Sequence, residues 1–168
     1  MDTRTLTDVL IRPLRFDELR LLADAIPDEL TLAQVENRWR EQALGYRELL
    51  AAETRDGVVG TVSMRETGSS SDRGLHLFAL EVAPEQRGHG IGSALVEHVL
   101  AEGRRRGCMR VYLEVRVDNP ARRLYHRLGF RRVGTPFVNT WWHFKPDGSR
   151  LRVDELSYRM VRRLGNRT

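Results

Sequence analysis

The chain has 168 residues, 40% hydrophobic and 30% charged, with a net charge of +5. That length suits one domain, residues 1–168, with a sizeable core, and no apolar run approaches the ~20 residues of a membrane span. One cysteine, Cys108, excludes an internal disulfide framework and fits a reducing cytoplasm, and with five scattered histidines it leaves no metal site to expect. Met1-Asp2-Thr3-Arg4 is followed by no h-region, so no secretory signal is expected. Only one of the 28 basic residues is lysine, Lys145. The acidic residues are interspersed among the arginines and no aromatic-basic module is visible, so no nucleic-acid partner is expected.

Val9 to Leu14 reads as a first strand, and Pro13 places it at an edge or a strand end. Leu19, Leu22, Ala23 and Ile26 recur at helical spacing up to Pro27. Thr31-Leu32-Ala33-Gln34 has the form of a capping box, opening a second helix whose inner face carries Leu32, Val35 and Trp39. Asp56-Gly57, between Tyr46–Thr54 and Val58–Glu66, is a hairpin signal. Residues 67–74 read as a loop, and Leu75 to Val82 as a further strand. A helix from Gly90 to about Arg106 follows, with Ile91, Ala94, Leu95, Val99 and Leu100 apolar and Arg104-Arg105-Arg106 as a solvated end at the negative pole of its dipole. Met109 to Val115 alternates as a strand, and the helix before it makes it a parallel neighbour of Leu75–Val82. Asn119 as N-cap and Pro120 at the first position open a helix striped by Ala121, Leu124, Tyr125 and Leu128 and closed by Gly129. Phe130–Val133 and Thr140–Phe144 read as two strands, 146–149 as a turn and Leu151–Val161 as the last strand. The order βααβββαβαββ predicts a three-layer α/β or α+β domain around a mixed sheet.

The stretch Gln86-Arg87-Gly88-His89-Gly90-Ile91-Gly92-Ser93 joins a strand to a helix. Such a turn aims free backbone N–H groups and the positive end of a helix dipole at one point, where phosphate fits. Glycine removes obstructing Cβ atoms and accepts positive φ, and Arg87 is placed to help hold an anion. An ordinary tight turn accounts for the glycines equally well.

Taken with Glu114 and with Asn119 to Phe130, the turn gives the chain a resemblance to the GNAT superfamily of acetyl-CoA-dependent N-acyltransferases. The family's glycine motif is matched by Arg87-Gly88-His89-Gly90-Ile91-Gly92. A second motif is matched by Asn119-Pro120-Ala121-Arg122-Arg123-Leu124-Tyr125-His126-Arg127-Leu128-Gly129-Phe130. Leu113-Glu114-Val115-Arg116 is similar to the ribosomal-protein N-terminal acetyltransferases, in which that glutamate is assigned as the base. The motif match covers roughly residues 75–133.

The resemblance implies a mixed, mostly antiparallel sheet with one central parallel pair and helices on both faces. It implies acetyl-CoA as cosubstrate, its pyrophosphate on the N–H groups of Arg87, Gly88, Gly90, Gly92 and Ser93, the main chain of Val82 on pantetheine and the thioester, and a contact from Asn119. Glu114 is the candidate base, with Glu81 and His76 as competitors; a buried ion pair with an arginine is an equal account of Glu114. Tyr125 would protonate the departing thiolate. The acceptor, a small-molecule or peptide amine, would enter past residues 25–35 and Thr140–Phe144, where at most one of Trp141 and Trp142 faces a pocket. Oligomeric state is not readable, with a dimer left open.

Two other readings stand beside this one. A dinucleotide-binding βαβ unit would use the same turn, with Glu114 about 20 residues beyond Ser93 as its ribose acid, although the third glycine of that fingerprint is Ser93 here. A non-catalytic acyl-CoA sensor of the same fold would bind the ligand and transfer nothing.

Overall fold

The computed structural model describes residues 8–165, so the segment read for a secretory signal lies outside the described residues. The strands are β1 (Leu10–Pro13), β2 (Glu48–Thr54), β3 (Gly57–Thr67), β4 (Gly74–Val82), β5 (Arg110–Arg116), β6 (Arg131–Phe144) and β7 (Arg150–Arg163). The helices are α1 (Leu19–Ala25), α2 (Leu32–Ala43), α3 (Ile91–Arg105) and α4 (Arg122–Arg127), and the chain order is the predicted βααβββαβαββ.

One seven-stranded sheet runs β1-β2-β3-β4-β5-β7-β6. Every neighbouring pair is antiparallel except β4 and β5, which are parallel because α3 carries the chain back between them. One parallel pair in such an order is not the doubly wound sheet that a dinucleotide fold needs. Pro13 lies on an edge strand, where its missing N–H leaves no ladder bond unmade.

From Val58 to Met64, β3 is buried on both faces, as the middle layer of a three-layer stack must be. Gly60 lets α3 close on the sheet: a Cβ there would sit 3.3 Å from Leu95 and 3.4 Å from Ile91. Leu75 and Leu77 of β4, Val111 and Leu113 of β5, and Leu95, Val96 and Val99 of α3 supply the centre of the core.

Several boundaries differ from expectation for local reasons. Thr54 pairs with Gly57, so the hairpin loop is Arg55-Asp56, one residue earlier, and Gly57 takes the positive φ of 99°. Thr31 caps α2 by accepting from Gln34 N–H at 3.0 Å, but Gln34 does not close the box. Its Oε1 accepts instead from Phe144 N–H at 2.5 Å, while Thr31 Oγ1 donates to Phe144 O at 2.6 Å, tying α2 to the end of β6. The two strand fragments read over 130–144 are one strand, since the pairing resumes at Phe137 after a register shift beyond Val133. Arg106 is more than a solvated helix end, because it pairs with Glu102, Glu48 and Glu66 and so ties α3 to β2 and β3. Met109 lies outside β5 and is exposed, leaving Val111, Leu113 and Val115 as the inward residues.

Gly129, which ends α4, has a φ of 86°, and a Cβ there would lie 2.9 Å from the Arg162 guanidinium, which donates to Leu128 O. Gly129→Ala is therefore expected to cost about 1–2 kcal/mol from backbone conformation alone. Urea unfolding should show a lower midpoint with an unchanged slope.

Candidate active site

β4 and β5 pair over Gly74↔Arg110, Leu75↔Val111 and His76↔Tyr112, and the registered pairing stops there. The cause lies on β4, where Phe78 opposes Ser63 and Glu81 opposes Thr61, so that β4 spends one residue more than β3 on the interval. Ala79 takes up the bulge at a φ of 53°, a conformation that costs a non-glycine residue about 1–2 kcal/mol and is held by the strands around it. Past the bulge the two strands part.

A cavity of about 970 Å³ fills the gap, and it brings together Glu81, Val82, Arg87, Gly88, Gly90, Gly92, Ser93, Glu114, Asn119 and Tyr125, while His76, the other candidate base, does not line it. Asp28, Glu29, Trp141, His143 and Glu155 also line it, so residues of the 25–35 segment and of the β6–β7 hairpin meet there. Trp141 lines the cavity and Trp142 does not, as adjacent residues on a strand require.

The glycine turn ends in Gly90, the α3 N-cap, at φ 84°, with Gly88 at φ 79°. At neither position would a Cβ meet any atom within 4 Å, so both glycines face open space. The first N–H of the helix to bond back is that of Ala94, to Gly90 O at 3.0 Å. Among the described residues the N–H groups of Gly88, Gly90, Ile91, Gly92 and Ser93 therefore find no protein acceptor, and they open the positive end of a 15-residue helix. Gly92 serves packing as well: Leu124 of α4 would lie 3.3 Å from a Cβ there.

Two details of the turn depart from expectation. Arg87 N–H is spent on Pro84 O at 3.4 Å, and its guanidinium donates to Val82 O at 3.2 Å and to Glu29 at 2.5 Å. Glu29, which the sequence could not place beside Arg87, is the competing anion, so the unspent cradle consists of main-chain amides. Ala83 N–H donates to Val59 O at 2.8 Å, and strand alternation turns Val82 N–H the other way, into the gap. Asn119 caps the turn before α4 by accepting from Ala121 N–H at 2.9 Å; the helix itself begins only at Arg122.

Both carboxylates are partnered. Glu81 takes two bonds from the buried Arg38 guanidinium, at 2.7 and 2.8 Å. Glu114 accepts from His76 at 2.5 Å and from Arg159 at 3.0 Å. Burial pushes the Glu114 carboxyl up, but the hydrogen bonds from His76 and Arg159 and the charge of Arg159 outweigh it and hold the group below the ordinary carboxylate range. Tyr125 is buried, packs edge-on against Phe130, and is raised above the ordinary phenol range by burial and by the charge of Glu81. Its hydroxyl therefore keeps its proton as pH rises through the ordinary phenol range. Cys108 is buried and free, a small core residue whose thiol burial pushes up.

Arg38, Arg159 and the Ala79 bulge were invisible in the sequence. Nothing marks which arginine meets which acid, and alanine carries no sign of a positive φ.

A seven-strand mixed α/β sheet thus parts at a bulge and gathers unspent amides, a protonated phenol and two carboxylates around the gap. The model of the Acetyltransferase (GNAT) family matches residues 15–130, and the chain belongs to that family. Human N-acetyltransferase 8B is 38% identical over 93 residues, covering 54% of this chain and 41% of that protein. The [ribosomal protein bS18]-alanine N-acetyltransferase of Haemophilus influenzae is 32% identical over 74 residues, covering 44% of this chain and 49% of that protein. The chain thus matches less than half the length of these curated relatives. A structure from Salmonella typhimurium, determined with its cofactor acetyl-CoA, superposes with a TM-score of 0.66 at 21% identity, covering 95% of each chain, and shares the fold. Among the described residues no helix is long and apolar enough to cross a membrane.

Proposed function

We propose that this chain is an N-acetyltransferase that moves an acetyl group from acetyl-CoA to a primary amine by direct attack. The acceptor class covers a protein α-amine, a lysine side chain and a small amine. The observation that carries the reading is the ring of unspent amides at Gly88, Gly90, Ile91, Gly92 and Ser93, opening on the same cavity as Tyr125, Glu81 and Glu114. The site suits a diphosphate, because the open faces of Gly88 and Gly90 leave room at donors aligned with a helix dipole.

Bound acetyl-CoA would supply an activated acetyl thioester. The amide ring would hold its diphosphate, and Asn119, whose side-chain oxygen is spent on Ala121, has its amide NH₂ left for a contact. Val82 N–H, turned into the gap, is placed to polarise the thioester carbonyl. The acceptor nitrogen must be neutral to attack, and Glu114, ionised through the working pH range, takes its proton. Tyr125 donates its proton to the sulfur as the carbon–sulfur bond breaks. Burial, with the charge of Glu81 adding to it, keeps the phenol protonated, and Glu81, held on both oxygens by Arg38, is the second candidate for the proton. The single buried thiol fits a cytoplasmic setting.

The test is a thiol-release assay with acetyl-CoA against peptides, polyamines, amino acids and aminoglycosides. Amine-dependent release of CoA thiol is expected with at least one class. Stabilisation by CoA with no transfer to any of them would make the protein an acyl-CoA sensor instead.

A further inference from the structure

His76 makes a contact that the transfer scheme does not use. It occupies the last paired rung of the parallel ladder, opposite Tyr112, where the gap begins. Glu114 is the next residue of β5 on the same face. The imidazole is clamped between two rings, its centroid 4.8 Å from Phe78 at 21° and 4.8 Å from Tyr112 at 10°. Its Nε2 lies 2.5 Å from Glu114 Oε2, and its Nδ1 is buried with no partner among the described residues. A carboxylate only accepts, so Nε2 carries the proton and donates. The ring's plane is thus fixed by stacking, and its one polar contact is spent on Glu114.

The other guide of that carboxylate is looser. Arg159 reaches Glu114 Oε1 from β7, but its side chain is 50% exposed, against 15% for His76. A half-exposed arginine retains rotamer freedom that a sandwiched ring has lost. Arg159 also lies over Tyr112 and Phe137, while Arg47, before β2 and paired with Glu41, and Arg65 of β3 lie over Phe78. Arg159, the cation bonded to Glu114, favours its ionised form.

We infer that His76 is a positioning residue, which aims the Glu114 carboxylate into the gap through the Nε2–H hydrogen bond. The inference rests on the reading of Glu114 as the base. It gives the buried, otherwise idle imidazole a role that packing alone does not require, since a phenyl ring would stack as well.

That comparison is the experiment. His76→Phe keeps a planar ring between Phe78 and Tyr112 and removes the donor, whereas His76→Gln restores a side-chain N–H. With acetyl-CoA and an acceptor that the wild type uses, His76→Phe is expected to lose about tenfold in kcat, as a misaimed base does, with KM for acetyl-CoA unchanged. His76→Gln should recover part of the loss. In the ligand-free protein, NMR titration of the Glu114 carboxyl carbon should move to higher pH in His76→Phe, because a donor favouring the ionised form is gone. Should the phenylalanine variant fail to fold, His76→Leu, which also lacks the donor, takes its place, with the same rise in the Glu114 midpoint and the same loss in kcat expected. An active wild type with a phenylalanine variant unchanged in kcat and titration overturns the role of His76 alone. A wild type that transfers acetyl to no amine overturns the reading of Glu114 as base and this role with it.

Discussion

Gly90→Asp is expected to abolish coenzyme A binding while leaving the fold in place. The position allows the two effects to be separated, because a Cβ at Gly90 would meet no atom within 4 Å. The structural cost is confined to the left-handed backbone at φ 84°, at most about 1–2 kcal/mol and less for aspartate, which tolerates that region better than most residues. The functional cost is larger. The carboxylate would occupy the mouth of the amide ring, take those donors for itself, and set a negative charge against the incoming diphosphate. Like-charge contact of this kind costs several kcal/mol, so the Kd should rise by roughly 100-fold or more. Gly90→Asn supplies the matched control, with the same backbone demand and no charge. Its Kd by calorimetry should fall between wild type and Gly90→Asp, and equal losses in the two would assign the effect to shape rather than charge.

Tyr125→Phe should lower kcat by about 100-fold and leave the Kd for CoA nearly unchanged, the signature of a lost proton donor. Burial and the charge of Glu81 act on the Tyr125 hydroxyl, which makes no hydrogen bond among the described residues, so its removal breaks no contact there. Thermal stability should stay close to wild type. The direction of the shift fixes the pH dependence: a donor raised above its ordinary range keeps its proton as pH rises. Wild-type kcat should therefore show no alkaline loss from Tyr125 below about pH 10, the ordinary phenol value. An alkaline limb near neutral pH that vanishes in the phenylalanine variant would contradict the environment described for this residue. An unchanged rate would remove Tyr125 from the mechanism.

The element order was legible because each step of it has a local cause. Pro13, Thr31, Pro120 and Gly129 punctuate the chain at positions where backbone chemistry allows few alternatives. The strand-to-helix turn at 86–93 was legible for the same reason, but an ordinary tight turn accounts for its glycines equally well, and it was the family resemblance that pointed to a phosphate there. The catalytic end was half legible. Glu81, Glu114 and Tyr125 could be singled out as candidates, but the partners of the two carboxylates could not, because Arg38, Arg159 and His76 lie far away in sequence and pairing is a property of the folded sheet. Charge matching went wrong where an arginine met an unforeseen acid, as Arg87 met Glu29. Strand continuity was missed over 134–139, where Gly134 and Pro136 look like an interruption and the structure has only a register irregularity between Val133 and Phe137 within one strand. The opening of β4 from β5 turns on an alanine at positive φ, for which sequence carries no mark.

The measurement that bears most directly on the central claim is a crystal structure of the protein with coenzyme A. The diphosphate oxygens should lie within hydrogen-bonding distance of the main-chain nitrogens of Gly88, Gly90, Ile91, Gly92 and Ser93, with the sulfur end running between β4 and β5 toward Tyr125. Coenzyme A bound away from those nitrogens, or failing to bind, would contradict the account.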